Sequence, residues 1–114
     1  MEETFGQKLR VLRRATGVSQ RKLADRVGVD FSYISKLEND RLPPPAADTV
    51  VRICEALSVA PDELLAASGK MPPQVQRSIG SSPAAIHFLR SAQTMKLSEA
   101  EWKQLSEQLK RLRE

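Results

Sequence analysis

The chain has 114 residues, of which 40% are hydrophobic and only 4% aromatic, with a formal net charge of +4. That length fits one domain and an appendage. It contains no run of about 18 apolar residues of the kind that spans a bilayer, and its single cysteine excludes an internal disulfide.

The charge is unevenly placed. Residues 1–41 hold nine Lys/Arg against six Asp/Glu, residues 42–69 one against four, and residues 70–114 eight against four. The N-terminal part is therefore basic and the stretch after it acidic. The opening Met1-Glu2-Glu3-Thr4 lacks the basic region and apolar core of a secretory leader, which points to the cytoplasm.

In chain order, apolar spacing predicts a first helix over about Thr4 to Thr16, ended by Gly17. Ser19 is an N-cap candidate for a second helix, Gln20–Val27, with Leu23, Ala24 and Val27 on one face. Gly28 follows, a residue that tolerates positive φ just past a helix end. Asp30 is the next N-cap candidate, and Ile34 and Leu37 give a third helix, Phe31–Asn39, its buried stripe. Together these make a helix-turn-helix. A small residue (Ala24) lets two helices cross closely, glycine permits the turn, and apolar anchors leave the other face of the last helix free for DNA.

A fourth helix is expected over about Ala46–Leu57 and a fifth over Pro61–Ala67, with Pro61 at its first position and Gly69 as terminator. Cys54 is in phase with Val50, Ile53 and Leu57 and reads as a small core residue. Met71-Pro72-Pro73 and Gly80-Ser81-Ser82-Pro83 bracket a short helical fragment, Gln74–Ile79, so residues 70–82 read as a linker or elbow. Ser82-Pro83 starts a further helix to about Thr94, with Ala85, Phe88, Leu89, Ala92 and Met95 on its apolar side. Ser98-Glu99-Ala100-Glu101 is a capping box. It opens a last helix whose Trp102, Leu105, Leu109 and Leu112 form a narrow apolar seam. A helix of this length is marginal alone in water. The seam must therefore be covered, either by helix 83–94 of the same chain or by a second copy; about 45 residues make a poor core, which favours the second copy.

These motifs, in this order and spacing, resemble the helix-turn-helix of the phage-repressor and Cro type, the XRE family. The resemblance runs over residues 5–68 and includes Leu37-Glu38-Asn39, Thr49 to Leu57 and Pro61-Asp62-Glu63-Leu64-Leu65. Three departures stand out. Asn39-Asp40 replaces a common Asn-Gly, the loop that follows carries Pro43-Pro44-Pro45, and Ala46 sits where a serine cap is usual. The apolar seam beyond the linker makes residues 83–114 a helical oligomerisation segment, while the resemblance implies an all-α fold with a five-helix DNA-binding domain over residues 1–69. It also implies a regulator, more specifically a repressor, that binds a palindromic operator in double-stranded DNA as a homodimer.

By the family's pattern, base edges meet Phe31, Ser32, Ser35 and Lys36, with Tyr33 at the edge of that face. Lys36 suits guanine, and Phe31 suits a thymine methyl. Phosphates are expected at Gln20, Arg21, Lys22 and Arg41, with Arg10 and Arg14 also within reach. Arg13 and Glu38 pair between the first and third helices, locking the recognition helix. The dimer interface is expected at Trp102, Leu105, Leu109 and Leu112 with Phe88 and Leu89.

An alternative is an antitoxin that uses the C-terminal seam to hold a toxin and regulates its own operon; a protease is another conceivable protein partner. No catalytic constellation, metal-ligand cluster or phosphate-binding glycine loop is legible, so neither enzyme nor cofactor is expected. His87, the only histidine, reads as a surface or packing residue.

Overall fold

A computed structural model describes residues 3–114. Every regular element among them is helical: α1 (Phe5–Ala15), α2 (Gln20–Val27), α3 (Phe31–Glu38), α4 (Ala47–Leu57), α5 (Asp62–Ser68), α6 (Pro73–Gly80), α7 (Pro83–Met95) and α8 (Glu99–Arg111). The chain divides into two compact units, one ending at Pro73 and the other Gln74–Glu114.

Local chemistry sets the boundaries of the first unit. Thr4 and Gln7 form a capping box at α1, each side chain accepting from the other residue's backbone N–H. The Ser19 hydroxyl accepts from the Lys22 N–H and starts α2. Gly28, at φ 84°, ends it in the left-handed region. Asp30 occupies the cap position of α3, but its side chain makes no capping hydrogen bond. Ala46 cannot make one at α4. Pro61 sits one residue ahead of α5 rather than inside it.

The core lies between these five helices. Leu9, Leu23, Ile34, Val50, Ile53, Cys54 and Leu64 are fully buried, with Leu37, Leu57, Ala24, Phe5 and Val18 nearly so. Each fully buried aliphatic side chain contributes about 1.5–3 kcal/mol. α2 packs on α3 and α4, α1 on α3 and α5, and α4 on α5. Arg26 adds a polar tie, its Nη1 donating to the Ala56 carbonyl of α4 at 3.0 Å.

The start of α1 meets the end of α3 without a gap. A Cβ on Gly6 would collide with the carbonyl oxygens of Leu37 and Glu38, so only glycine fits this crossing. Asp40 completes the junction. It holds φ at 57°, a conformation that Asp adopts more readily than most residues. Its carboxylate accepts from the Thr4 hydroxyl at 2.6 Å and the Gly6 N–H at 3.1 Å. The departure from Asn-Gly thus leaves the turn intact and adds a tether.

The second unit is built differently. Ser82 caps α7 through the Ala85 N–H, with Pro83 in the first turn, and Ser98 and Glu101 form the capping box of α8. Ala92 is its one buried residue. Ile86, Phe88, Leu89, Met95, Trp102, Leu109 and Leu112 remain exposed.

Candidate nucleic-acid interface

Glu38, at the last residue of α3, is 1% exposed. Four polar contacts converge on it. Arg13 of α1 donates from Nε to Oε2 and from Nη2 to Oε1, the latter at 2.9 Å. The Gln20 amide donates to Oε1 at 3.0 Å, and Arg10 approaches the same oxygen at 3.5 Å. The remaining Arg13 nitrogen, Nη1, donates to the Val18 carbonyl at 2.9 Å. Burial pushes the Glu38 carboxyl up, but the hydrogen bonds from Arg13 and Gln20 and the Arg13 charge outweigh it and hold the group below the usual carboxylate range. The Glu38 hydrogen bond raises the Arg13 guanidinium in turn, against burial.

The cluster joins α1, the start of α2 and the end of α3. It fixes α3 from its inner side, while Ile34 and Leu37 hold it from the core. The outer face is left to solvent. Phe31, Ser32 and Lys36 are exposed there, and Ser35 is half-buried. Tyr33 turns toward the core and packs against it.

Beside this face lies an open depression lined by Arg10, Arg14, Arg21, Ser19, Gln20 and Phe31. Arg10 is anchored there, its Nη2 donating to Asn39 Oδ1 at 2.7 Å. Asn39 in turn donates to the Ser35 carbonyl at 2.8 Å. The amides of Gln20 and Arg21 precede the first intrahelical bond of α2, from the Leu23 N–H to the Ser19 carbonyl. Helix N-termini of this kind attract anions. Lys22 and Arg41 are exposed. Gln20 uses its side-chain nitrogen to donate to Glu38, and its backbone N–H lies among the amides at the start of α2 that precede the first intrahelical bond. The Arg21 guanidinium lies 4.7 Å from the centroid of the Phe31 ring.

Three of these arrangements go beyond the sequence reading: the Gln20–Glu38 bond, the Arg10–Asn39 bond and the Arg21–Phe31 stack. Each joins residues at least ten positions apart, where helical periodicity carries no information. The Thr4-x-x-Gln7 capping box, by contrast, has a readable sequence signature.

The seam residues are distributed in the second unit as follows. Phe88 of α7 and Trp102, Leu105, Leu109 and Leu112 of α8 line one apolar groove of about 360 Å³. A second groove, about 380 Å³, runs along Phe88, Ala92, Met95, Leu97 and Leu105. Leu89 is exposed but lines neither.

The helix-turn-helix domain family matches residues 4–68. The uncharacterised HTH-type transcriptional regulator RghRB of Bacillus subtilis is 38% identical over 65 residues, which are 57% of this chain and 47% of that protein. The HTH-type transcriptional repressor RghR of the same organism is 33% identical over 67 residues, 59% of this chain and 50% of the repressor. The chain thus spans about half the length of the curated relatives it matches. Among solved structures, the P22 c2 repressor protein in complex with a synthetic operator superposes with a TM-score of 0.52 at 27% identity, covering 58% of this chain and 98% of that one.

Proposed function

The chain belongs to the helix-turn-helix family of the phage-repressor type, and from that premise we propose that it is a sequence-specific DNA-binding transcriptional regulator, a repressor acting as a homodimer on a palindromic operator. The observation that carries this reading is the Glu38 cluster. It holds α3 rigidly while its Phe31–Ser32–Lys36 face stays open beside a depression lined with arginines.

Rigid placement matters because base reading requires side chains to meet donor and acceptor edges without reorganising. Lys36 and Ser32 face the bases. Arg10, Arg14, Lys22 and Arg41, with the first amides of α2, set the register against phosphates. RghR is named a repressor and the P22 c2 protein was solved with an operator, which supports the same role here, carried out in the cytoplasm.

Dimerisation rests on the second unit. With Ala92 as its one buried residue and a row of large apolar side chains exposed, the α7–α8 pair has no core of its own. A second copy would cover the groove between Phe88 and Trp102–Leu112. Two recognition helices would then meet major grooves about 34 Å apart, and promoter occlusion follows from occupancy. Selection of binding sites from a random DNA pool, followed by footprinting, tests the reading. Recovery of an inverted repeat with half-sites one helical turn apart is expected; recovery of no sequence preference would overturn it.

A further inference from the structure

The contact between Arg21 and Phe31 has no role in the Glu38 cluster. Arg21 is the second residue of α2 and Phe31 the first of α3. Phe31 is 41% exposed, and the guanidinium lies over its ring at 4.7 Å. Arg21 takes part in none of the ion pairs among the described residues. The aromatic ring is therefore what orients its fork. The attraction acts through the face of the ring and leaves the N–H edge of the guanidinium free.

A guanidinium over the face of a ring brings its donor fork beside the ring's apolar rim. The 4.7 Å between the guanidinium carbon and the ring centroid exceeds the rise between neighbouring base pairs, about 3.4 Å, but is short enough for the two groups to reach adjacent pairs. One edge is a rigid fork of donors that matches guanine O6 and N7; the other is an apolar rim that matches the thymine 5-methyl. Phe31 opens the recognition helix, and Arg21 reaches over it from the first turn of α2.

We propose that Arg21 and Phe31 act as a single reading unit for a guanine beside a thymine, in which Arg21 determines specificity and Phe31 both touches the methyl group and positions the fork. This rests on the DNA-binding reading above. Arg21 thereby leaves the set of phosphate contacts, and Arg10, Arg14, Lys22 and Arg41 carry that load.

The test uses the full chain and the duplex it selects, with affinity read by fluorescence anisotropy. Each guanine is replaced in turn by 7-deazaguanine, which lacks N7, and each thymine by uracil, which lacks the methyl. One guanine and one adjacent thymine are expected to be sensitive, the guanine by about tenfold. Arg21→Ala should abolish the 7-deazaguanine penalty at that position. Phe31→Leu should shrink the same penalty by about two- to fivefold, and Phe31→Tyr should retain it. A merely structural role for Phe31 would weaken every duplex alike and leave the ratio unchanged. Both side chains are exposed, so neither variant disturbs the core. Uniform weakening by Arg21→Ala with the selected sequence unchanged would overturn this proposal alone, assigning Arg21 to phosphate. Failure of the unaltered protein to bind any duplex would overturn the DNA-binding reading with it.

Discussion

Arg13 and Glu38 form a forked ion pair in the interior of the helix-turn-helix domain, with the Arg13 residue 8% and the Glu38 residue 1% exposed. Because the pair lies 25 positions apart in sequence, it is a tertiary clamp between α1 and α3. Its energetics follow from desolvation. A buried pair is not a large net gain over apolar packing, but a single buried charge left without its partner costs about 3–5 kcal/mol. Arg13→Ala and Glu38→Ala should each destabilise the domain strongly, and the double variant should lose less than the sum. Urea denaturation of the four proteins measures the coupling; additive losses would mean that the two charges act independently.

The same carboxylate gives the fold a pH dependence of known sign. Its folded pKa is depressed below the unfolded one. The unfolded chain therefore takes up the proton first as acid is added, and the stabilisation is fully present only above the unfolded pKa. It is lost as pH falls through the folded pKa. The stability difference between the unaltered protein and Glu38→Gln should be largest near neutral pH and shrink through the acid range. A difference independent of pH would show that Glu38 does not titrate differently in the two states.

Gly6→Ala tests the crossing of α1 over the end of α3. The added methyl meets backbone carbonyls of Leu37 and Glu38, which cannot rotate aside as a side chain would. A cost of about 1–3 kcal/mol is expected, although alanine is the better helix former. Thermal melting of the variant checks it, and an unchanged or raised Tm would mean that the helices separate without penalty.

Much of this architecture was legible in local pattern. The bounds of α2, the left-handed Gly28, the Ser98–Glu101 box and the burial of Cys54 all follow from residues within one or two turns of each other. Asp30 stands at the cap position its sequence context predicts, but an aspartate there need not aim its oxygen at the N–H groups ahead, and this one does not. The tether from Asp40 to Thr4 and Gly6 was hidden, since its partners lie more than 30 residues away and are brought together only when the core closes. The same holds for Gln20. Its place at the start of α2 suggested an outward amide, and only the approach of α3 reveals Glu38 as its acceptor. Spacing specifies which face of a helix is buried; it does not specify which polar groups then meet.

Reading and positioning should separate on the exposed face. Lys36→Ala is expected to weaken operator binding by about 1–3 kcal/mol and relax preference at one base pair. Lys22→Ala should weaken specific and non-specific binding alike. If a dimer neutralises about six phosphates, log K falls against log salt with a slope near −5, reduced in magnitude by about two in a dimer carrying Lys22→Ala in both copies. A selected sequence unchanged by Lys36→Ala would place the reading face elsewhere on α3.

The α7–α8 pair offers the last test, because an exposed apolar face is costly unless something covers it. Leu105 is half-buried and Leu109 is 67% exposed, so neither stabilises the chain on its own as much as it would in an interface. Leu105→Asp with Leu109→Asp should therefore leave the helix-turn-helix domain folded, its own core closing by Leu64. The charges would be desolvated only on association, where they are strongly unfavourable. Sedimentation should show a monomer in place of a dimer. Operator affinity should drop by about a hundredfold or more, since linking two half-site readers raises their effective concentration. Isolated half-sites should be bound as before. If the doubly substituted chain still sediments as a dimer, the self-interface lies on the helix-turn-helix domain. The groove beside Phe88 then fits a different protein, and the antitoxin reading, with a toxin helix in that groove, becomes the one to pursue.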